Sequence, residues 1–274
     1  MDKFKGILFC TDLDGTLLPS DGNKVSKGNM DAIRYFQSEG GLFTFVTGRM
    51  PFFAKEIYEM IQPNAPFGCI NGGGIYDHRT QSYRWTQTLS REAVELVDHA
   101  VKNVPGIGVQ LNTFDKVYFC RENSAMERFR RITGMPNRTA DYFAVTEPIA
   151  KIVFGDENEE HINAVRDLLN AHPKALDFDF IRSEQTLYEI LPKGVSKGTV
   201  LAKLAEILEI DPCRTIAVGD YNNDVSMIRT AGLGIAVSNA CEEAKQAAKH
   251  ITVSNDEDAI ARIIEDLDRG MLSL

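Results

Sequence analysis

The sequence predicts an α/β protein: a doubly wound, mostly parallel, Rossmann-like core sheet interrupted by an inserted α+β domain. Three observations predict it. Short runs that are apolar on consecutive positions alternate with helix-period segments, the mark of parallel strands buried on both faces and joined by helices. Near residue 85 the alternation gives way to strands in adjacent pairs, which implies antiparallel hairpins. Beyond about residue 188 the first grammar returns. Residues 1–84 and 189–274 are therefore expected to form one core, and 85–188 a separate α+β body of about a hundred residues, an ordinary domain size.

The elements follow in order. Residues 6–11 (GILFCT) read as the first buried strand. A Pro/Gly loop over 19–23 leads to Ser26, a helix cap for Lys27–Ser38, where Met30, Ile33 and Phe36 recur at helical spacing before Gly40 and Gly41 end it. A strand over 42–46, a helix over 52–60 and a strand over 67–70 come next. The run Asn71-Gly72-Gly73-Gly74 is then a glycine turn into a return strand at 75–77. In the insert the pattern gives helices at 91–103, 124–132 and 157–170. Its strands fall at 108–112, 116–120, 150–154, 176–181 and 186–190. The core resumes with helices at 197–208, 224–230, 241–248 and 256–268, and strands at 215–218, 234–237 and 250–253.

Composition excludes several classes. With 274 residues and 43% hydrophobic content the chain can build a large core. A formal net charge of -9 opposes binding to nucleic acid or anionic lipid, which need a basic face. No apolar run approaches the roughly 18 residues of a membrane span, and the opening MDKFKGILFC is too short for a secretory segment. Five scattered cysteines without CxxC spacing suggest neither disulfides nor zinc, and a cytoplasmic setting is expected. The five histidines show no metal-ligand pairing.

Chemistry gathers at strand ends. Asp12 and Asp14 follow the first strand directly, where the carboxyl ends of an open sheet face the ligand crevice. Two carboxylates so close need a proton or a hard cation such as Mg2+ between them, although Asp-Gly also makes ordinary turns. Thr47-Gly48-Arg49 ends the second strand with a hydroxyl, backbone N–H groups and room for a phosphate oxygen. Lys197, opening a helix beside Ser196, can neutralise a carboxylate and a transferring phosphoryl group. Gly219-Asp220-Tyr221-Asn222-Asn223-Asp224 brings two more carboxylates to another strand end. Each fragment alone has a plain structural explanation as a turn or a cap. Acidic clusters at the ends of two separate buried strands, with a lysine and a threonine at other edges, do not.

In combination these stretches resemble the haloacid dehalogenase-like (HAD) hydrolases, in particular the Cof-type branch, whose α/β cap is inserted in the core. The resemblance spans nearly the whole chain and rests on DLDGT at 12–16, VTGR at 46–49, NGGG at 71–74, GVSKG at 194–198 and GDYNND at 219–224. The stretches 234–245 and 251–260 also match. Gly73 stands where that branch often has alanine, and Val237-Ser238 where it often has Met-Gly, which touches loop shape more than chemistry.

The resemblance implies a Mg2+-dependent phosphatase in which Asp12 is nucleophile and metal ligand, and Asp14 is general acid and then base. The Asp14 backbone carbonyl, Asp220 and, beside them, Asp224 would complete the metal site. Thr47 and Lys197 would hold the phosphoryl group, and Asn223 would orient it or the lysine. Leu13, Gly48, Arg49, Asn71 and Gly72 would face the phosphate or substrate. It also implies a small phosphorylated metabolite as partner: a sugar phosphate, pyridoxal phosphate, flavin mononucleotide or a nucleotide. Cap residues such as Tyr118, Tyr142 and Arg182 are candidates for specificity. The alternatives are a phosphomutase on the same scaffold and a sensor that binds a phosphometabolite without turnover. Asp14 argues against dehalogenation and the intact catalytic set against a sensor.

Overall fold

The computed structural model describes residues 2–22 and 24–274; Asn23, the expected end of the loop 19–23, lies outside the described residues. In chain order the elements are β1 (Leu8–Thr11), α1 (Lys27–Ser38), β2 (Leu42–Phe45), α2 (Lys55–Ile61), β3 (Phe67–Cys69), β4 (Gly74–Asp77) and β5 (Ser82–Thr86). There follow α3 (Ala93–Asn103), β6 (Gly108–Thr113), β7 (Val117–Arg121), α4 (Ser124–Thr133), β8 (Ile149–Gly155), α5 (Glu159–Ala171), β9 (Phe178–Glu184) and β10 (Leu187–Pro192). The chain ends with α6 (Lys197–Ile207), β11 (Thr215–Gly219), α7 (Val225–Thr230), β12 (Leu233–Ala236), α8 (Glu242–Ala247), β13 (His250–Ile251) and α9 (Ala259–Asp268).

Two compact units result, one of Met1–Thr86 with Ser196–Leu274 and one of Gln87–Val195. The insert thus occupies 87–195 rather than 85–188, because β10 pairs along its whole length with β9 and over Leu187–Ile190 with β8.

The first unit holds a five-stranded parallel sheet in the order β13-β12-β11-β1-β2. In β1 the side chains alternate between two apolar layers. Leu8 and Cys10 join a cluster with Val200, Leu201 and Leu204 of α6 and Met227 of α7. Phe9 packs the other way, against Phe36 of α1 and Phe43. Burial on both faces is why these strands read as unbroken apolar runs. From β1 the chain crosses to β2 on one side, whereas β11 on the other side leads away to β12. The gap between β1 and β11 is therefore a topological switch point, where open sheets take their ligands.

Beside that sheet, β3, β4 and β5 form a small antiparallel sheet. β5 has no counterpart in the sequence reading, because SYRWT is a surface strand with little apolar content. Two helices start three residues later than expected. α2 begins after the turn that follows Pro51. α9 begins at Ala259 because Glu257 accepts the Ser254 hydroxyl and N–H, and Asp258 is left-handed at φ 57°.

The second unit is an antiparallel sheet in the order β7-β6-β8-β10-β9. Its apolar face buries Leu96 and Val97 of α3 and Ile162 and Val165 of α5 with Ile152 and Phe154 of β8. Tyr118 donates to Glu147 at 2.6 Å, Tyr142 to Asp98 at 3.2 Å and Arg182 to Asn163 at 3.0 Å, so all three have partners within this unit. Among the described residues no helix is long and apolar enough to cross a membrane.

Candidate active site

The site is assembled at the switch point. Thr11 of β1 stands beside Val218 of β11, and the Asp12 N–H donates to the Val218 carbonyl at 2.9 Å. The two strands therefore leave the sheet together, and Asp12 and Asp220 follow them into the same crevice. Lys197 arrives from α6, whose first turn is fixed by Ser196 accepting the Thr199 N–H at 3.1 Å. Its ammonium lies 2.8 Å from Asp12 Oδ1 and 2.6 Å from Asp224 Oδ1, and the lysine is only 1% exposed. Asp224 is wholly buried, and its Oδ2 accepts the N–H groups of Asp220 and Tyr221, each at 3.0 Å. Gly219 is required beside it, since a Cβ there would overlap the Asp224 side chain.

Oxygen atoms of Asp12, Asp220 and Asp224 all lie within 4.8 Å of one another. One ammonium cannot balance three carboxylates in so dry a place. Burial, and then the neighbouring carboxylates of Asp224 and Asp220, push the Asp12 carboxyl well above its usual range. Burial and Asp224 likewise push Asp220 up to about 7, although the Thr16 hydroxyl and Lys197 pull the other way. Burial by itself would weaken Lys197 as a base, but Asp12 and Asp224 outweigh it and hold the ammonium above its ordinary value. A cluster that sheds negative charge by taking up protons could hold a hard divalent cation, the kind that all-oxygen donors favour over softer metals.

The acidic loop is anchored around this cluster. Gly15 adopts φ 75°, and a Cβ there would lie 2.6 Å from Asp220 Oδ2. The Thr16 hydroxyl donates to Asp220 Oδ1 at 2.6 Å, and Asn239 Nδ2 donates to the Gly15 carbonyl at 2.8 Å. Asn255 continues the tie, donating from its backbone to Asn239 Oδ1 and from its side chain to the Leu18 carbonyl, both at 3.0 Å. Thr16 lies inside DLDGT and Asn239 inside the stretch 234–245, without a charge pattern that marks either as functional. The signal was present as position within a motif rather than as a charge pattern. Asp14 turns away from the three clustered carboxylates and takes a two-pronged contact from Arg49, Nε to Oδ2 at 2.9 Å and Nη2 to Oδ1 at 2.5 Å.

The end of β2 and the glycine turn form the opposite wall. Thr47 is buried; its N–H donates to Gly68 O at 3.0 Å, and its carbonyl accepts the Asn71 N–H at 3.1 Å. Arg49 N–H donates to Thr47 Oγ1 at 3.2 Å. Ile70 and Asn71 are both left-handed, at φ 58° and 51°, and a β-branched residue held so costs about 1–3 kcal/mol, a cost typical of binding sites. Gly72, at φ 105°, lies against the Ser196 backbone where a Cβ would not fit, and a Cβ on Gly48 would sit 2.8 Å from Asn71 Oδ1. Asn223 Nδ2 donates to Asn71 Oδ1 at 3.0 Å, linking the β11 loop to this wall. Leu13 is fully buried, so only its backbone can serve a ligand.

The arrangement offers a buried carboxylate beside an ammonium, an oxygen-rich cation site and a second acid two residues away. That is a set suited to displacement at a phosphoryl group. A profile of the haloacid dehalogenase-like hydrolases matches residues 9–264. The chain is 26% identical over 267 residues to the 5-amino-6-(5-phospho-D-ribitylamino)uracil phosphatase YitU of Bacillus subtilis, covering 96% of this chain and 97% of that one. A crystal structure of a haloacid dehalogenase-like hydrolase from Bacteroides thetaiotaomicron is similar, with a TM-score of 0.81 at 26% identity, covering 95% and 99% of the two chains. A subclass IIB sugar phosphatase of the same superfamily shares the fold at a TM-score of 0.82 and 20% identity, over 97% and 100%.

Proposed function

The chain belongs to the haloacid dehalogenase-like hydrolase family, and from that premise we propose that it is a Mg2+-dependent phosphatase of small phosphorylated metabolites, working in the cytoplasm through an aspartyl-phosphate at Asp12. The observation that carries the reading is the Lys197 ammonium bridging Asp12 and Asp224 next to Asp220, with Asp14 two residues beyond the nucleophile. Mere recognition of phosphate would need neither a nucleophile nor an acid.

In the first half-reaction an Asp12 carboxylate oxygen attacks phosphorus, the ester P–O bond breaks, and its electron pair stays on the leaving oxygen, which takes a proton from Asp14. In the second, water gives a proton to Asp14 and attacks the phosphorus, and the bond to Asp12 breaks to restore its carboxylate. Lys197 offsets the repulsion between the anionic nucleophile and the anionic ester, and Thr47 with the Gly48 backbone steadies the phosphoryl oxygens. Asp12, Asp220 and the Asp14 carbonyl would hold Mg2+, with Asp224 supporting from beside them. Bound there, the ion would supply further positive charge for the transferring group.

The name of the Bacillus relative supports a substrate in which phosphate sits on a polyol or sugar chain, and the wider resemblance adds pyridoxal phosphate, flavin mononucleotide and nucleotides. The test is phosphate release from a panel of phosphorylated metabolites, with and without Mg2+, using Asp12→Asn as control. Equal turnover by the variant and the wild type defeats the covalent route.

A further inference from the structure

The loop that carries Asp14 is held by its backbone: Leu18 N–H donates to Leu13 O at 2.8 Å and Asn239 to Gly15 O at 2.8 Å. Neither contact fixes the Asp14 side chain, which is 59% exposed. Arg49 does. Its guanidinium meets both carboxylate oxygens, a geometry that fixes the carboxyl plane as well as its position. Arg49 itself starts from a fixed backbone, since its N–H donates to Thr47 Oγ1 and its carbonyl accepts the Ile70 N–H at 3.1 Å. As a surface ion pair the contact adds little stability. Its value lies in geometry.

We propose that Arg49 is a positioning residue for Asp14, directing the carboxyl that exchanges a proton with the leaving oxygen, rather than a ligand of the phosphoryl group. The inference rests on the phosphatase reading. A misplaced acid costs most where the leaving oxygen must be protonated and least where it departs as a stable anion. Misplacement by about 1 Å can cost on the order of a hundredfold.

The experiment compares kcat for 4-nitrophenyl phosphate and for an alkyl phosphate in the wild type, Arg49→Gln, Arg49→Lys and Asp14→Asn, and in the Arg49→Gln/Asp14→Asn double variant, each checked for folding by circular dichroism. Both Arg49 variants should lose at least about tenfold more on the alkyl ester than on the aryl ester. Lysine keeps the charge but not the fork, so it should share the defect, and in the Asp14→Asn background the change at Arg49 should widen the gap no further. Equal losses on the two esters, a rise confined to KM, full rescue by lysine or multiplying losses in the double variant would overturn the inference while leaving the phosphatase reading standing. A wild type that releases phosphate from no ester would overturn both.

Discussion

Replacing Lys197 with methionine keeps the volume and removes the charge that the buried carboxylates of Asp12 and Asp224 share beside the partly buried Asp220. At 2.8 and 2.6 Å, and with an effective dielectric of about 20, each pairing is worth about 6 kcal/mol before solvation is counted. Desolvation of the three groups cancels most of that. Removing one partner of a buried pair still costs about 3–5 kcal/mol, because the others remain buried without balance. At about 2–4 °C per kcal/mol for a domain of this size, Tm should fall by about 6–20 °C at pH 8.

The pH dependence has a definite sign. Lys197 is held above its ordinary value of 10.5, so its own contribution is complete throughout pH 5–8 and is lost only at much higher pH. The change within that window comes from Asp220, pushed up to about 7, which lets the orphaned cluster discharge by protonation, and burial shifts Asp12 in the same direction. The gap between variant and wild type should therefore narrow toward pH 5. Thermal unfolding followed by circular dichroism reads the first effect, and phosphate release reads the second, a fall in kcat of at least about a hundredfold. A variant within about 1 kcal/mol of wild type at pH 8, or one keeping half its turnover, refutes this account of the centre.

Other consequences follow from the same geometry. Asp220 titrates near 7 in the fold against 3.8 in the unfolded chain, so it favours the metal-free fold while protonated, and that stability is lost as pH rises from about 4 through about 7; the gain in Tm from added Mg2+ should grow over the same window, and an ion effect independent of pH would contradict it. Thr16→Val removes the donor to Asp220 and should weaken Mg2+ activation about tenfold or more, read as the Mg2+ concentration giving half-maximal rate; an unchanged value would count against the hydrogen bond's role. Gly72→Ala places a Cβ on a backbone at φ 105° and against Ser196, and should cost about 2 kcal/mol or more in urea unfolding, whereas a neutral result would mean the turn can relax.

How much of this could be read beforehand divides along a physical line. Fold class and the strand-end acids were legible because a strand buried on both faces must be apolar at every position, so a carboxylate directly after it stands out: Asp12 behind LFCT, Asp220 behind TIAVG. Helix α1 was legible to the residue, since Ser26 accepts the Asn29 N–H as its cap and an apolar stripe follows. β5 and the start of α9 were not, because one is a surface strand and the other depends on a side-chain contact between Ser254 and Glu257. The same limit governs the site. Periodicity records which residues are buried; it does not record which partner a polar side chain chooses. Asp14 and Asp220 look alike in sequence, each next to a glycine after a buried strand. Yet one joins the carboxylate cluster and the other pairs with Arg49, thirty-five positions away. Lys151 and Glu189, paired at 2.9 Å and nearly buried in the second unit, were as silent for the same reason: neighbouring strands brought them together, and no local pattern announces that. Motif order could therefore name the groups expected at one sheet edge, whereas which of them meet follows from contacts between distant segments. It is in those contacts, Arg49 with Asp14 and Thr16 with Asp220, that the proposed roles are most open to mutational test.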